Sequence, residues 1–351
     1  MSWLSEIARP EIQALKAYEH ASWEPGLTRL HANELPWRSL ADSSEAGLNI
    51  YPEPHPHELM DRLADLYGVP HGWALAGRGS DETIDLLVRA YCRAGQDAVL
   101  ICPPTFGMYG VTARIQGARV LEVPLLREQG FALDQPGIEA ALAQDPRLLF
   151  FCSPNNPTGN SLDLDWLLAL ARRLEGRALV VVDEAYVEFS THASLVSQLA
   201  NYPALVLLRT LSKAHGLAGA RCGTLLAQPE IVQLLQKVIQ PYAIAQLSIE
   251  AIFKVLQPEV LAVSLQRRQI ISAERARMSA ALQQHPAVQR VWPSDANFLL
   301  IDFKDPAAVL ERAHAAKLLL RDFRRSPGLA QSLRISLGTP EQNDRVLESL
   351  P

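Results

Sequence analysis

The chain has 351 residues, of which 48% are hydrophobic and 20% charged, and its formal net charge is −5. It therefore carries enough apolar material for a sizeable core, and its length predicts about two domains. A mildly acidic chain lacks the basic footprint of a nucleic-acid-binding protein, and no stretch approaches the ~20 apolar residues of a membrane span. We expect neither nucleic acid nor a membrane as a partner.

The cysteines occur singly, without the paired spacing of a metal site, at Cys92, Cys102, Cys152 and Cys222. Three of them flank or end apolar runs, which predicts buried free thiols. The first ten residues lack the charged and then apolar pattern of a signal peptide. These features predict a reduced, cytoplasmic protein that holds no metal.

The first forty residues are rich in proline, tryptophan and polar groups and predict an irregular arm. From about residue 75, short apolar runs alternate with helical patterns. The runs of β-branched residues and leucine predict strands buried on both faces, at 97–104, 147–154, 177–185 and 203–211. Amphipathic stripes predict helices over 80–95 and 163–176. This alternation predicts an α/β domain with a mostly parallel sheet flanked by helices.

The tail differs, because long helical patterns begin at about residue 246 and a few short strands follow. The strand patterns lie at 297–303, 317–322 and 332–338, with a helix near 306–316. This order predicts a smaller α+β domain. We expect an N-terminal arm and part of the small domain over 1–44, a large domain over 45–245 and a small domain over 246–351.

Ligands of an open parallel sheet bind at the carboxyl ends of its strands, so the residues after each predicted strand are the candidates for chemistry. A glycine-rich turn at 77–79 also leads into a helix that begins at Ser80. The strand-end residues supply an amide, a carboxylate, a phenol, hydroxyls, an amine and a guanidinium, from Asn156, Asp183, Tyr186, Thr210, Ser212, Lys213 and Arg221.

Pyridoxal phosphate uses this whole inventory, because it needs a lysine for its aldehyde, a carboxylate for its ring nitrogen and a site for its phosphate. We expect Lys213 to form the Schiff base and Asp183 to pair with the ring nitrogen. Asn156 and Tyr186 are expected to donate hydrogen bonds to the phenolic oxygen. The predicted phosphate ligands are Ser80, the backbone of Asp81, Thr210, Ser212 and Arg221.

Each feature alone has an ordinary explanation. The sequence NPTG is usually a turn, GRGS can simply start a helix, and Lys213 alone is typical of a surface lysine. GxGSDE does not complete the glycine pattern of a dinucleotide site. Their joint occurrence at successive strand ends favours the cofactor site.

With these residues in place, the chain resembles the fold-type I pyridoxal-phosphate aminotransferases, and within them the family that acts on L-histidinol phosphate. The resemblance spans nearly the whole chain and is carried by LHANELP (30–36), YPEP (51–54), GRGSDE (77–82), CPPTFGMY (102–109), CSPNNPTG (152–159), VVDEAYVEF (181–189), RTLSKAHGLAGARCG (209–223), LLLRD (318–322) and LRISLG (333–338). It implies transamination of L-histidinol phosphate with 2-oxoglutarate, which gives imidazole acetol phosphate and L-glutamate in histidine biosynthesis.

The resemblance also implies roles that the residues alone do not reveal. Phe106 is expected to stack on the pyridine ring. Tyr51 is expected to reach the phosphate of the neighbouring subunit, which implies a homodimer with shared active sites. Arg321 and Arg334 are expected to bind the anionic groups of both substrates. The other expected substrate-binding residues are Tyr18, Asn33, Glu34 and Asn156.

Two alternatives stay open, and a third is disfavoured. A threonine-phosphate decarboxylase or another amino-acid aminotransferase can have the same fold and cofactor, and they differ in how the substrate is held. A binding or regulatory protein on a degenerate form of the fold is disfavoured, since Lys213, Asp183 and Arg221 are all intact.

Overall fold

The computed structural model describes residues 3–24 and 26–351. The strands in these ranges are β1 Ala74–Gly77, β2 Ala98–Ile101, β3 Arg119–Glu122, β4 Leu148–Cys152, β5 Leu179–Asp183, β6 Leu205–Thr210, β7 Gly223–Leu226, β8 Val288–Val291, β9 Phe298–Phe303, β10 Arg321–Asp322 and β11 Ser332–Ser336. The α-helices are α1 Trp3–Glu6, α2 Pro10–Gln13, α3 His57–Tyr67, α4 Ser80–Tyr91, α5 Met108–Gln116, α6 Gln135–Ala141, α7 Leu164–Arg173, α8 Pro229–Gln236, α9 Gln246–Val255, α10 Pro258–Gln284, α11 Pro306–Ala315 and α12 Pro340–Ser349.

The larger sheet has seven strands among the described residues, in the order β1-β7-β6-β5-β4-β2-β3. Strands β2 to β6 pair in parallel, whereas β7 runs antiparallel to both of its neighbours. Every residue of β4, β5 and β6 is buried, because helices cover both faces of a parallel sheet. The predicted α/β fold with a mostly parallel sheet is confirmed. Strands β1, β3 and β7 were not among the predicted strands.

The smaller sheet has the order β10-β11-β9-β8, and all of its described pairs are antiparallel. Helices α10 and α12 pack against each other beside it. Its inner face joins side chains of both helices in a separate hydrophobic cluster, which includes Met278, Leu299, Ile301, Phe303 and Val346. The boundaries at 44/45 and 245/246 stay a prediction.

The N-terminal segment is more ordered than the sequence predicts. Leu4, Ile7 and Ala8 are buried in the core of the larger sheet, and α1 packs against α8. The expectation of an irregular arm is therefore wrong for residues 3–13, because these apolar side chains find a place in that core. Between residues 14 and 50, the described residues contain no helix or strand.

Strand register brings the predicted site residues to one edge. Cys152 lies opposite Asp183 at the ends of β4 and β5, and Thr210 at the end of β6 lies opposite Gly223 at the start of β7. The segments that follow β4, β5 and β6 therefore emerge side by side.

Two other expectations concern the whole chain. All four cysteines are buried and free, as predicted. Among the helices that the structure describes, none combines the length and the apolar character needed to cross a membrane.

Candidate active site

A cavity opens at the carboxyl edge of the larger sheet, where the strand-end segments meet the first turn of α4. Most of the residues predicted to bind a cofactor line this cavity. Its lining consists of Ser80, Asp81, Phe106, Cys152, Asn156, Asp183, Ala185, Tyr186, Thr210, Ser212, Lys213, Ala218 and Arg221. The fold thus gathers side chains from segments up to 141 residues apart into one site.

Asp183 forms the acidic floor of the cavity at the end of β5, where only 3% of its surface is exposed. Its Oδ1 accepts a hydrogen bond from the backbone N–H of Ala185 at 3.0 Å, and its Oδ2 accepts one from the Tyr109 hydroxyl at 2.6 Å. Burial raises the pKa of Asp183 to about 6, and both hydrogen bonds oppose this rise. A cationic ring nitrogen placed here would stabilise the carboxylate.

Lys213 follows β6 by three residues and faces the same cavity. Its Nζ lies 5.8 Å from the centroid of the Tyr186 ring. Partial burial lowers the pKa of Lys213, and the positive charges of Arg334 and Arg221 lower it further. A lowered pKa increases the fraction of neutral amine, which is the form that attacks a carbonyl or accepts a proton.

The amide of Asn156 connects two other groups at the cavity wall. Its Nδ2 donates a hydrogen bond to the Tyr186 hydroxyl oxygen at 3.3 Å, and its Oδ1 accepts one from Arg334 Nη1. Burial raises the pKa of Tyr186, so this residue is a neutral phenol near pH 7. Because the Tyr186 oxygen is the acceptor in this bond, its own proton is available to an oxyanion in the cavity.

The first turn of α4 lines the cavity with Ser80 and Asp81, and a helix start of this kind can hold an anion. The helix begins at Ser80, and the preceding Gly79 has φ +78° and no side chain to cap the first N–H groups. A Cβ atom at Gly79 would collide with the Arg221 guanidinium, and one at Gly223 would collide with the backbone of residues 79 and 80. The two glycines thus let β7 and Arg221 approach the start of the helix.

Hydroxyls and a guanidinium also line the cavity. Ser80 Oγ is buried without a hydrogen-bond partner, which marks a position that a ligand oxygen can satisfy. The Ser212 N–H donates to Thr210 Oγ1 at 3.1 Å, and the two hydroxyl oxygens lie 3.0 Å apart. Arg221 Nη2 lies 3.2 Å from Asp81 Oδ2, so the Asp81 side chain holds Arg221 in place.

The donor set fits a phosphorylated, hydroxylated pyridine. The helix start, the orphaned Ser80 hydroxyl and Arg221 match a phosphate, while Asp183 matches a protonated ring nitrogen. Phe106 also lines this cavity and meets the Tyr109 ring edge to face, with centroids 5.5 Å apart. An aromatic wall at this position can stack on a ring.

Tyr51, Asn33 and Glu34 do not line the cavity of Lys213. They border a separate surface pocket, in which the Tyr51 N–H donates to Glu34 Oε1 at 2.7 Å and the Tyr51 ring stacks on Tyr242 at 4.6 Å. Tyr18 also lies outside the Lys213 cavity, with 73% of its surface exposed. Within one chain, these four predicted site residues are therefore not brought to Lys213.

The two predicted substrate arginines face each other across the β10–β11 pair, where Arg321 lies opposite Arg334. Arg334 reaches the larger sheet through Asn156, and its buried Nε has no hydrogen-bond partner. Arg321 is exposed, and its guanidinium carbon lies 5.7 Å from the centroid of the Phe323 ring.

Sequence reasoning missed Tyr109, which binds Asp183 directly. The residue is part of the quoted motif CPPTFGMY, but it lies inside α5 rather than after a strand. The sequence gives no signal that this helix presents its hydroxyl to the end of β5. The backbone N–H of Ala185, which also binds Asp183, was missed for a different reason: an alanine carries no chemical signal of its own.

Comparison with known proteins assigns the chain to one family. A family model described as aminotransferase class I and II matches residues 31–350. The chain belongs to the class I and II aminotransferases.

Within that family, the chain is similar to the histidinol-phosphate aminotransferase of Stenotrophomonas maltophilia (strain R551-3). The two are 45% identical over 348 residues, which cover 98% of this chain and 95% of that protein. The structure of the histidinol-phosphate aminotransferase from Sinorhizobium meliloti in complex with pyridoxal-5'-phosphate aligns with a TM-score of 0.76 and 25% identity, over 86% of this chain and 82% of that one.

A second solved structure, the L-threonine-O-3-phosphate decarboxylase from Porphyromonas gingivalis, aligns with a TM-score of 0.73 and 24% identity. The match covers 86% of this chain and 90% of that one. This likeness shows that the fold is shared, so the fold alone does not separate the two reactions.

Proposed function

We propose that this protein is a pyridoxal-phosphate-dependent aminotransferase that converts L-histidinol phosphate and 2-oxoglutarate to imidazole acetol phosphate and L-glutamate, a step of histidine biosynthesis. One observation carries the proposal. Lys213, Asp183 and Arg221 line one cavity, in a chain that is 45% identical to a histidinol-phosphate aminotransferase over 98% of its length.

Two sets of groups that line the cavity would hold the cofactor. Ser80, Ser212 and Arg221 bind its phosphate, with backbone N–H groups at the start of α4. Asp183 pairs with its ring nitrogen, and Phe106 packs against its ring. These assignments are supported by the buried Ser80 hydroxyl, which has no hydrogen-bond partner, and by the buried Asp183 carboxylate in the same cavity.

The residues around the cofactor then perform the proton chemistry. Bound pyridoxal phosphate supplies an aldehyde that combines with amines and a cationic ring that withdraws electrons from the substrate carbon. Lys213 would hold the cofactor, and its free amine would remove a proton from the substrate carbon that bears the amino group. Its lowered pKa keeps it available as a base. Asn156 and Tyr186 donate hydrogen bonds to the cofactor's phenolic oxygen.

Arg334 and Arg321 bind the anionic groups of the substrates. Histidinol phosphate carries a phosphate and glutamate carries two carboxylates, so one pair of guanidinium groups can serve both. Support comes from the unpartnered Arg334 Nε and from the position of Arg321 opposite Arg334. Tyr18, Asn33 and Glu34 are the other proposed substrate-binding residues.

We also infer a homodimer in which Tyr51 serves the active site of the neighbouring subunit. Tyr51 lies outside the cavity of its own Lys213. The segment before Tyr51 exposes several large apolar side chains, including those of Leu30, Trp37 and Leu40. Such a concentration of exposed apolar surface is typical of an interaction site. A cytoplasmic location is supported by the four free thiols.

A panel of half-reactions tests the function. Purified holoenzyme is mixed with one amine at a time, and the absorbance of the bound cofactor is followed until the amino group has been transferred. We expect histidinol phosphate and glutamate to react, and histidinol without its phosphate to react far more slowly. Lys213→Ala is the control for non-enzymatic transfer. No reaction with histidinol phosphate, alongside a fast reaction with another amine, would contradict the proposed substrate.

A further inference from the structure

Tyr109 hydrogen-bonds to Asp183, the proposed partner of the cofactor's ring nitrogen, although Tyr109 itself does not line the cavity. Its hydroxyl donates to Asp183 Oδ2 at 2.6 Å, and its side chain is fully buried. The ring stacks almost parallel on Phe150 of β4, with centroids 4.9 Å apart and planes at 9°, and it meets Phe106 edge to face. The hydroxyl is therefore fixed on two sides and has little freedom to leave the carboxylate.

The carboxylate is held at both oxygens. Oδ1 is held by the backbone N–H of Ala185 and Oδ2 by Tyr109, which fixes the plane of the carboxylate. Each oxygen keeps acceptor capacity for one more donor. The other titratable groups that act on Asp183 are Asp81 of α4, Cys152 of β4, Tyr186 after β5 and Lys213 after β6. Only Tyr109 donates a side-chain hydrogen bond to it among the described residues.

We propose that Tyr109 is a positioning residue for the transamination, which orients the Asp183 carboxylate toward the ring nitrogen of the bound cofactor. The proposal rests on the proposed function, because it takes Asp183 as the partner of that nitrogen. A neutral phenol next to a buried carboxylate also offsets part of the cost of burying the charge, since its hydrogen bond lowers the pKa of Asp183. Without the hydroxyl, the carboxylate is freer to rotate and less readily ionised.

Tyr109→Phe removes the hydroxyl and keeps the stacked ring. The matched control is Tyr91→Phe, because Tyr91 is also fully buried but bonds the Leu4 carbonyl at 3.4 Å, away from the cavity. Affinity is measured for pyridoxal phosphate and for an analogue with CH in place of the ring nitrogen. We expect Tyr109→Phe to weaken binding of the natural cofactor about tenfold and to leave binding of the analogue unchanged.

The second readout is a pH titration of the absorbance of the bound cofactor. A ring nitrogen that is less firmly protonated withdraws fewer electrons, so the titration midpoint should move upward in Tyr109→Phe by about half a pH unit or more. We expect kcat to fall about tenfold with little change in KM. Tyr91→Phe should match the unsubstituted enzyme in all three measurements.

If Tyr109→Phe does not fold, 3-fluorotyrosine placed at position 109 keeps the ring and makes the hydroxyl a stronger donor, so the midpoint should move downward. Equal loss of affinity for both cofactors, or an unchanged midpoint, would overturn the proposal. Failure of the proposed function is distinguishable, because it would appear as an unsubstituted enzyme that binds the cofactor and forms no glutamate from histidinol phosphate.

Discussion

Arg334 Nη1 donates a hydrogen bond to Oδ1 of Asn156, a residue 178 positions earlier in the chain. This contact joins the smaller sheet to the carboxyl edge of the larger one. The guanidinium carbon of Arg334 also lies 5.0 Å from the centroid of the Phe298 ring and 5.4 Å from that of Phe323. Two aromatic rings and the amide of Asn156 thus hold Arg334 beside the cavity wall, and its buried Nε has no hydrogen-bond partner.

Replacement of Arg334 tests its role in binding both substrates. Arg334→Gln removes a charge-assisted hydrogen-bonding group, so catalytic efficiency should fall by roughly 30- to 1,000-fold. Both half-reactions should suffer, because the same group binds the phosphate of one substrate and a carboxylate of the other. Arg321→Gln should lower both rates in the same direction.

Arg324→Gln is the control for these variants, because Arg324 pairs with Asp322 on the exposed segment beside Arg321. The rates of the two half-reactions, followed by cofactor absorbance, are compared among these variants and the unsubstituted enzyme. A loss confined to glutamate, with histidinol phosphate unaffected, would show that Arg334 does not bind the phosphate.

Lys213 should be the residue to which the cofactor is covalently attached. Borohydride reduction of the holoenzyme should make this attachment permanent, and peptide mass spectrometry should locate the added mass on Lys213. Lys213→Ala should lose turnover by on the order of a thousandfold or more. Lys304 is exposed, so the Lys304→Ala variant is the control and should still carry the added mass on Lys213. An added mass on any other lysine would refute the assignment.

Asp183 gives the apoenzyme a distinctive pH dependence. Burial raises its pKa from 3.8 to about 6, so the folded chain binds this proton more tightly than the unfolded chain does. Its contribution to stability is therefore complete below about pH 4 and is lost as the pH rises through 6. Between pH 5 and pH 7.5, this group alone should lower the free energy of unfolding by about 1–2 kcal/mol.

Urea unfolding of the apoenzyme at these two pH values measures the effect. Asp183→Asn has no proton to lose, so its free energy of unfolding should fall less over the same interval. An identical fall in both proteins would show that Asp183 does not titrate in this range. In the holoenzyme, the same variant should keep its cofactor and lose turnover by orders of magnitude.

Tyr51 should act on the neighbouring subunit. Mixing Tyr51→Ala subunits with Lys213→Ala subunits should form hybrid dimers with one intact active site, and activity should rise toward about a quarter of that of the unsubstituted enzyme by random pairing. Each variant incubated alone should stay nearly inactive. If subunit exchange is verified by mass and no activity returns, Tyr51 belongs to the site of its own subunit.

The sequence was sufficient for the parts of the fold and site that depend on local patterns. Continuous apolar runs predicted β4, β5 and β6, and the chemistry after them predicted that Asn156, Asp183 and Lys213 would meet. This inference worked because parallel strands bring their carboxyl ends to one edge, so chain order alone brings these residues together.

The remaining parts depend on contacts between distant segments. Strand β7 is a short run of four residues, GTLL, and only its pairing with β1 and β6 makes it a strand. The bond from Tyr109 to Asp183 depends on how α5 packs against the sheet, which no local pattern encodes. The order of the short helix α1 is not encoded locally either, because its burial depends on packing against α8.

The most direct test of the central claim compares two products in one assay. Purified enzyme with pyridoxal phosphate is incubated with histidinol phosphate and 2-oxoglutarate, and separately with threonine phosphate, while L-glutamate and CO₂ are both measured. If the arginines bind the substrate's anionic group and Lys213 acts as the base, the first mixture should give glutamate. The mixture with threonine phosphate should then release no CO₂. Release of CO₂ from threonine phosphate as the dominant activity, with no glutamate formed from histidinol phosphate, would contradict the assignment.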